Sequence, residues 1–231
     1  MKKLLWVSLV ILLTCGTAFA QDDESGGGSG PSSGELFFEI TASPFNRDGN
    51  TFDGALLNFG QFRARYFLDE TLVPRLGVFY SVDNNESNFP TPDVVTSISN
   101  FAFTPGLEYH FLNEGGFTSY AAVDIILAGR TATRESDTSP EVIGSTEVPD
   151  GVNDAFNTET RGFFGIGAFA GVGAEYHFAS RFYVGAEIGF QFIRGRSSDV
   201  EVDGALYQEG IVFFDSGVNT SNSIRVGFKL F

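Results

Sequence analysis

The chain has two histidines, His110 and His177, and a search for catalysis begins there. Glu175 lies two residues before His177, so on a strand the two side chains share a face. Ser180 follows three residues later. A Ser/His/Glu set can activate a hydroxyl nucleophile, but no nucleophile elbow surrounds this serine. Both histidines also stand beside turn sequences, Asn113 to Gly116 and Ala179 to Arg181, which makes them strand-end residues paired with carboxylates. A second candidate is Asp199-Val200-Glu201-Val202-Asp203-Gly204. Its alternate oxygen donors and its glycine in sixth place match the start of a calcium loop. The twelfth position is Gly210 and Glu209 falls one place early, so the bidentate carboxylate is missing. The expectation is instead a β-hairpin turning at Asp203-Gly204, with Ala205 to Phe214 as its return strand. There is no phosphate-binding glycine loop and no Cys/His cluster. No catalytic, cofactor-binding or metal-binding residue is therefore assigned.

The elements that carry these residues are signalled by composition. Gly is 28 and Phe 26 of 231 residues, with only 8 Pro. Glycine is costly inside helices, so this mix disfavours a helical enzyme. The net charge of −15 disfavours nucleic acid, whose phosphates need clustered Lys and Arg, and charge-driven docking on anionic lipid. Residues 1–20 read as a signal peptide: Lys2 and Lys3, the apolar run Leu4 to Leu13, then Ala18-Phe19-Ala20. The run is too short to span a membrane as a helix. Met1, Trp6 and Cys15 all fall inside it and are the only residues of their kinds. The mature chain then has no disulfide or thiol chemistry. A lipid-modified Cys15 is the rival reading, and Thr14 stands where a smaller residue is usual. Residues 21–34 form a Gly/Ser-rich linker with an acidic start.

From 35 to 231 the pattern is alternation with period two, the mark of strands with two unlike faces. In Asn100 to Phe111, Phe101, Phe103, Pro105, Leu107, Tyr109 and Phe111 share one face. Arg161 to Phe178 does the same with Phe164, Ile166, Ala168, Ala170, Val172, Ala174 and Tyr176. Six more segments fit, near 35–43, 55–68, 73–82, 117–129, 182–194 and 222–231. None places a charge on its apolar face. The opposite face carries Glu35, Glu39, Arg63, Arg65, Arg75, Glu108, Asp124, Glu175, Glu187, Arg225 and Lys229, interleaved with glycine. Arginine dominates over lysine there, as suits paired charges in a confined space. Glycine suits a narrow interior in which small residues make room for large ones. The apolar face is therefore read as lipid-facing. The alternative is a soluble barrel with that face inside.

Connections alternate in length. Tight turns fall at Asp69 to Leu72, Asn113 to Gly116 and Ala179 to Arg181, and long loops at 44–54, 83–97, 130–160 and 195–221. Tyr66, Tyr109 and Tyr176 each stand just before a tight turn, the depth expected of an interfacial aromatic girdle. Pro105 cannot donate to a ladder, and a bulge is expected there. Arms of the Asp203-Gly204 hairpin crossing the membrane would make ten strands. Val200 and Val202 offer too little apolar face for that, so the hairpin is expected outside.

With its signal peptide, alternating strands, short turns, long loops and terminal aromatic, the chain resembles small outer-membrane barrels of the OmpA/OmpX type. The resemblance implies an all-β fold: an eight-stranded antiparallel up-and-down transmembrane barrel with short periplasmic turns and long extracellular loops. The end, Ile224 to Phe231, resembles the final-strand signal read by the outer-membrane assembly machinery. Here the apolar face ends on Leu230, and Phe231 is one residue out of phase. The expected function is structural or surface-interacting, in a monomer with a salt-bridge-filled lumen and both termini in the periplasm. Its partners would be outer-membrane lipid, lipopolysaccharide and the assembly machinery. A small porin or channel is the alternative, and a surface lipid-modifying enzyme or a soluble ligand-binding barrel come after it. The long loops are acidic, with only Arg47, Arg130, Arg134 and Arg196 as basic residues. They either stay solvated or contact lipopolysaccharide through bridging cations.

Overall fold

In the computed structural model, residues 30–43, 58–87, 94–136, 140–147, 160–219 and 224–231 are described. The signal peptide, most of the linker and the 44–54 loop lie outside them. The described chain forms strands and no helix. These are β1 (Leu36–Ser43), β2 (Asn58–Tyr66), β3 (Leu72–Ser87), β4 (Val94–Glu114), β5 (Phe117–Ser136) and β6 (Val142–Ile143). The rest are β7 (Phe163–Ala179), β8 (Phe182–Ser197), β9 (Val200–Val202), β10 (Ala205–Gln208), β11 (Val212–Asn219) and β12 (Ile224–Lys229).

Antiparallel pairing runs β1-β2-β3-β4-β5-β7-β8-β12 and returns to β1 through Phe38↔Phe228 and Ile40↔Val226. The ring of eight is closed, so neither the first nor the last strand leaves an unpaired edge there. β11 pairs with the outer half of β8 and forms the outer part of the eighth strand. The sequence pattern places 212–219 within a last loop of 195–221, with Ala205 to Phe214 as a hairpin return strand, whereas here these residues continue the barrel wall. Its alternating Val212, Phe214, Ser216 and Val218 are all exposed.

Two other loops are shorter than expected. β3 and β4 stay paired as far as Ser87↔Val94, and β5 continues to Ser136. β6 then pairs with both β5 and β9, raising the wall above the start of β7. The Asp203-Gly204 hairpin is present with a shorter return strand, β10. Asp203 has φ 50° and Gly204 φ 75°, the paired positive values of a type I′ turn. Gly115 and Gly116 repeat this at the β4–β5 turn, with φ 58° and 81°. The register is the same on both sides of Pro105 (Phe103↔Leu127, Gly106↔Asp124), so the proline interrupts the ladder without a bulge. The bulge falls between His110 and Leu112 instead.

The exterior is apolar. Phe62, Val78, Phe111, Ile125, Ile166, Val172, Ile188 and Val226 are all exposed on it. On β3 the outward series Leu72, Pro74, Leu76, Val78, Tyr80 and Val82 gives way to Asn84 and Glu86. Its ten residue steps cover roughly 33 Å of strand, or about 25 Å of height at a tilt near 40°, the height of a hydrocarbon-facing band. Tyr66, Tyr109 and Tyr176 are exposed at its turn-side margin. Within the belt the charged side chains point inward and are buried, the reverse of a water-soluble protein. The molecule is a transmembrane barrel.

Candidate functional site: the layered lumen

Charged residues reach the lower lumen because every second residue of each strand points inward. Space for them comes from small residues across the ladder. Arg63 stands opposite Gly77, Arg75 and Asp124 opposite Gly106, Glu187 opposite Gly173, Glu175 and Arg225 opposite Gly185, and Glu39 opposite Gly227. The rings are housed the same way. A Cβ on Gly173 would overlap the Tyr120 ring, and one on Gly227 the Tyr183 ring.

The four guanidiniums and five carboxylates interlock. Arg65 donates from Nε to both Glu108 oxygens at 3.1 Å and from Nη1 to Glu175 Oε2 and Tyr183 Oη at 2.9 Å each. Arg75 grips Asp124 bidentately, Nε to Oδ1 at 2.7 Å and Nη2 to Oδ2 at 2.6 Å. Its Nη1 reaches Glu108 Oε1 at 3.0 Å and Glu187 Oε2 at 2.5 Å. Arg225 Nη2 donates to Glu39 Oε2 at 2.6 Å and its Nη1 to Glu187 Oε2 at 3.2 Å, while Arg63 Nη1 reaches Glu39 Oε1 at 3.0 Å. Tyr120 Oη donates to Glu187 at 2.9 Å, and Tyr183 Oη donates to Glu39. The Arg65 and Arg225 guanidiniums also lie over the Tyr120 ring. All nine charged side chains are buried.

Burying ions costs several kcal/mol each, repaid only when pairing and hydrogen bonding are nearly complete. Sharing Glu39, Glu108, Glu175 and Glu187 each among two or more arginines, with Asp124 held bidentately by Arg75, meets that condition. Arg65 and Arg75 face each other directly, and Glu108 between them offsets the repulsion.

Below this layer the mouth is sealed. Phe37, Phe67, Val73 and Tyr183 form a fully buried cluster. His110 stacks on Tyr120 at 5.1 Å between ring centres, and His177 meets Phe37 edge-on at 5.8 Å. The segment before β1 crosses this end. Gly34 N donates to Phe67 O, Ser33 Oγ donates to Leu68 O, Pro31 is buried, and Gly30 lies against Asn113 across the ring. At the β2–β3 turn, bonds from the Thr71 hydroxyl and from the Thr71 and Leu72 amides hold the Asp69 carboxyl below the usual carboxylate range.

The chemical candidates fall as follows. His177 Nε2 lies 3.3 Å from Glu175 Oε1, and His110 Nε2 lies 3.0 Å from Glu108 Oε2. Ser180 is exposed in its turn, away from the buried His177. The Ser/His/Glu set is not assembled. In the outer hairpin, Asp199 Oδ1 accepts from Gly210 N at 2.7 Å and Arg196 Nη2 at 3.1 Å, and Asp203 Oδ1 accepts from Glu141 N at 3.1 Å. These carboxylates fasten the loop. Lys229 pairs with Glu35 at 2.9 Å near the turn-end rim. Arg161 lies at the outer end, donating to Ser198 O at 2.8 Å and Gln208 Oε1 at 3.2 Å. Sequence reasoning missed the lumenal rings Phe37, Phe79, Phe163, Phe169 and Phe213. Their inward parity was readable, but it conflicts with a purely polar interior.

No family model matches this chain, and no curated protein does. Two solved structures from Pseudomonas aeruginosa are similar to it. The N-terminal β-barrel domain of OprF has 13% identity and a TM-score of 0.39 over 87% of this chain and 100% of that one. The outer membrane protein OprG has 10% identity and a TM-score of 0.40 over 87% of this chain and 98% of that one.

Proposed function

We propose that the chain is a monomeric, integral outer-membrane barrel with a structural or surface-interaction role, its lumen closed by the ion-pair layer. Its turn end and both chain ends face the periplasm, and its acidic loop end faces outward. The observation that carries the reading is the complete burial of the interlocked charges inside a barrel whose exterior is apolar. An eight-stranded barrel has an interior just wide enough for side chains to fill, and here they fill the lower half. Lipid and lipopolysaccharide would surround the belt, and the assembly machinery would read the final strand. A channel role would require the interlocked charges to part. The test of placement is membrane fractionation, combined with electrophoretic mobility of unboiled against boiled protein. A protein that runs identically in both states, or that stays in the soluble fraction, would overturn the proposal.

A further inference from the structure

Most arginines of the described wall face the lumen. Arg63, Arg65, Arg75 and Arg225 lie in the ion-pair layer, and higher up Arg130 donates from Nε to Asn100 Oδ1 at 2.7 Å. Arg194 and Arg196 on β8 point the other way. They continue the outward series Phe182, Val184, Ala186, Ile188, Phe190 and Phe192. That series is as long as the apolar one on β3, so Arg194 is the first outward residue beyond the belt. The step from Phe192 raises it by about 5 Å at a tilt near 40°. That puts it in the headgroup layer, which is on the order of 5–8 Å thick on each side of a bilayer.

Arg194 is exposed and makes no hydrogen bond or ion pair with any described residue. Arg196 is held by its own loop, donating from Nε to Gly210 O at 3.4 Å and from Nη2 to Asp199 Oδ1 at 3.1 Å, with Nη1 left uncommitted. In the register Arg194 stands between Ile166 of β7 and Phe214 of β11, both exposed. Phe214 stacks on Phe192 at 6.3 Å between ring centres, an aromatic shelf on the belt side of Arg194. The wall of β3, β4 and β5 differs. Its outward rungs beyond the belt read Asn84-Ser97-Thr133 and Glu86-Val95-Glu135, without a cation.

We propose that Arg194 and Arg196 bind the headgroup of an outer-leaflet lipid that carries a terminal phosphate monoester, its acyl chains lying on Phe192 and Phe214. A guanidinium's planar fork matches phosphate oxygens, and a monoester offers three of them with nearly two charges. Residues two apart on one strand have Cα atoms about 7 Å apart, so both side chains reach one phosphate. The shelf favours a phosphate that comes with a lipid tail over a free one. The net charge of −15 repels anionic lipid in general, which confines binding to this wall. The site rests on the loop end lying in the outer leaflet, as in the function proposed above. A protein that binds the lipid but fractionates with the inner membrane would sink only that placement. An outer-membrane protein that ignores the lipid would sink only the site.

The experiment places the protein, 15N-labelled at arginine, in phosphatidylcholine nanodiscs and adds dioleoyl phosphatidic acid. The Nε–H signals of Arg194 and Arg196 should shift saturably, while that of the lumenal Arg130 stays in place. Arg194→Gln, read at Arg196, should weaken binding by about tenfold or more through the lost charge-assisted hydrogen bonds, with unboiled mobility retained. Should that variant not assemble, Arg194→Lys keeps the charge, loses the fork and should still bind more weakly than the parent. Inorganic phosphate at the same concentration should leave both signals unmoved. Equal shifts with inorganic phosphate or with oleate would show attraction of any anion and overturn the lipid site. Shifts that grow without saturating, or a variant that binds like the parent, would overturn it as well.

Discussion

The lower and upper halves of the same lumen obey different packing rules. Below, every inward side chain of the ion-pair layer is buried, and glycines on facing strands are already occupied by neighbouring groups. Above, apolar side chains stay partly exposed and Gly217 faces open space. The described wall is therefore packed with interlocked charges at one level and lined by partly exposed apolar side chains at the next. The difference lies in what stands across each rung. Large charged residues opposite glycine fill the bore, whereas Ala102 and Ala128, opposite each other, stay partly exposed.

The comparison breaks most severely at Glu108, which three arginines share. Glu108→Ala should cost about 3–5 kcal/mol, because it leaves buried guanidiniums without their counter-charge. Asn100→Ala in the upper lumen should cost about 1 kcal/mol. Urea unfolding in lipid vesicles measures both. Equal costs would erase the distinction between the halves.

The exterior sets the next scale. Val172→Arg, placed on the apolar belt, should cost about 2–4 kcal/mol if it lies near the bilayer midplane. Unchanged folding of that variant in vesicles would mean the faces are assigned the wrong way round.

Gly173→Ala against Gly217→Ala sharpens the contrast with the smallest possible change. The first methyl is driven into the Tyr120 ring and should cost about 1–3 kcal/mol. The second meets open space and should be close to neutral. Paired denaturation midpoints decide it, and a reversal of the order would contradict the layering.

Deleting Phe231 should have the smallest effect on stability. Its side chain is exposed and its carbonyl accepts one bond from Leu36 N at 3.0 Å. The loss should be about 1 kcal/mol, with normal refolding into detergent and a lower level in the outer membrane. A chain that fails to refold would make Phe231 a packing residue.

Much of this was legible in the sequence because the belt requires strict alternation. Wherever Phe, Val or Ile must face hydrocarbon and Arg or Glu must face the lumen, the period of two is unbroken, as from Phe101 to Phe111. The eight strands, the three tight turns and the nine residues of the ion-pair layer followed from it. Above the belt both faces are polar, as at Asp83, Asn84, Asn85 and Glu86, so the extensions of β3, β4 and β5 looked like loop. β11 carries its alternation plainly, but it follows directly on the hairpin, whose expected return strand, Ala205 to Phe214, takes in its first residues. The unfilled side of Gly217 was hidden for another reason. Alternation says which way a side chain points and nothing about what fills the space it points into.

Conductance in a planar bilayer tests the closed lower lumen most directly. The purified wild-type protein should insert without any stable large conductance, since four arginines and five carboxylates block the bore with their charges mutually paired. Steady porin-like openings from that protein would contradict the closed lumen.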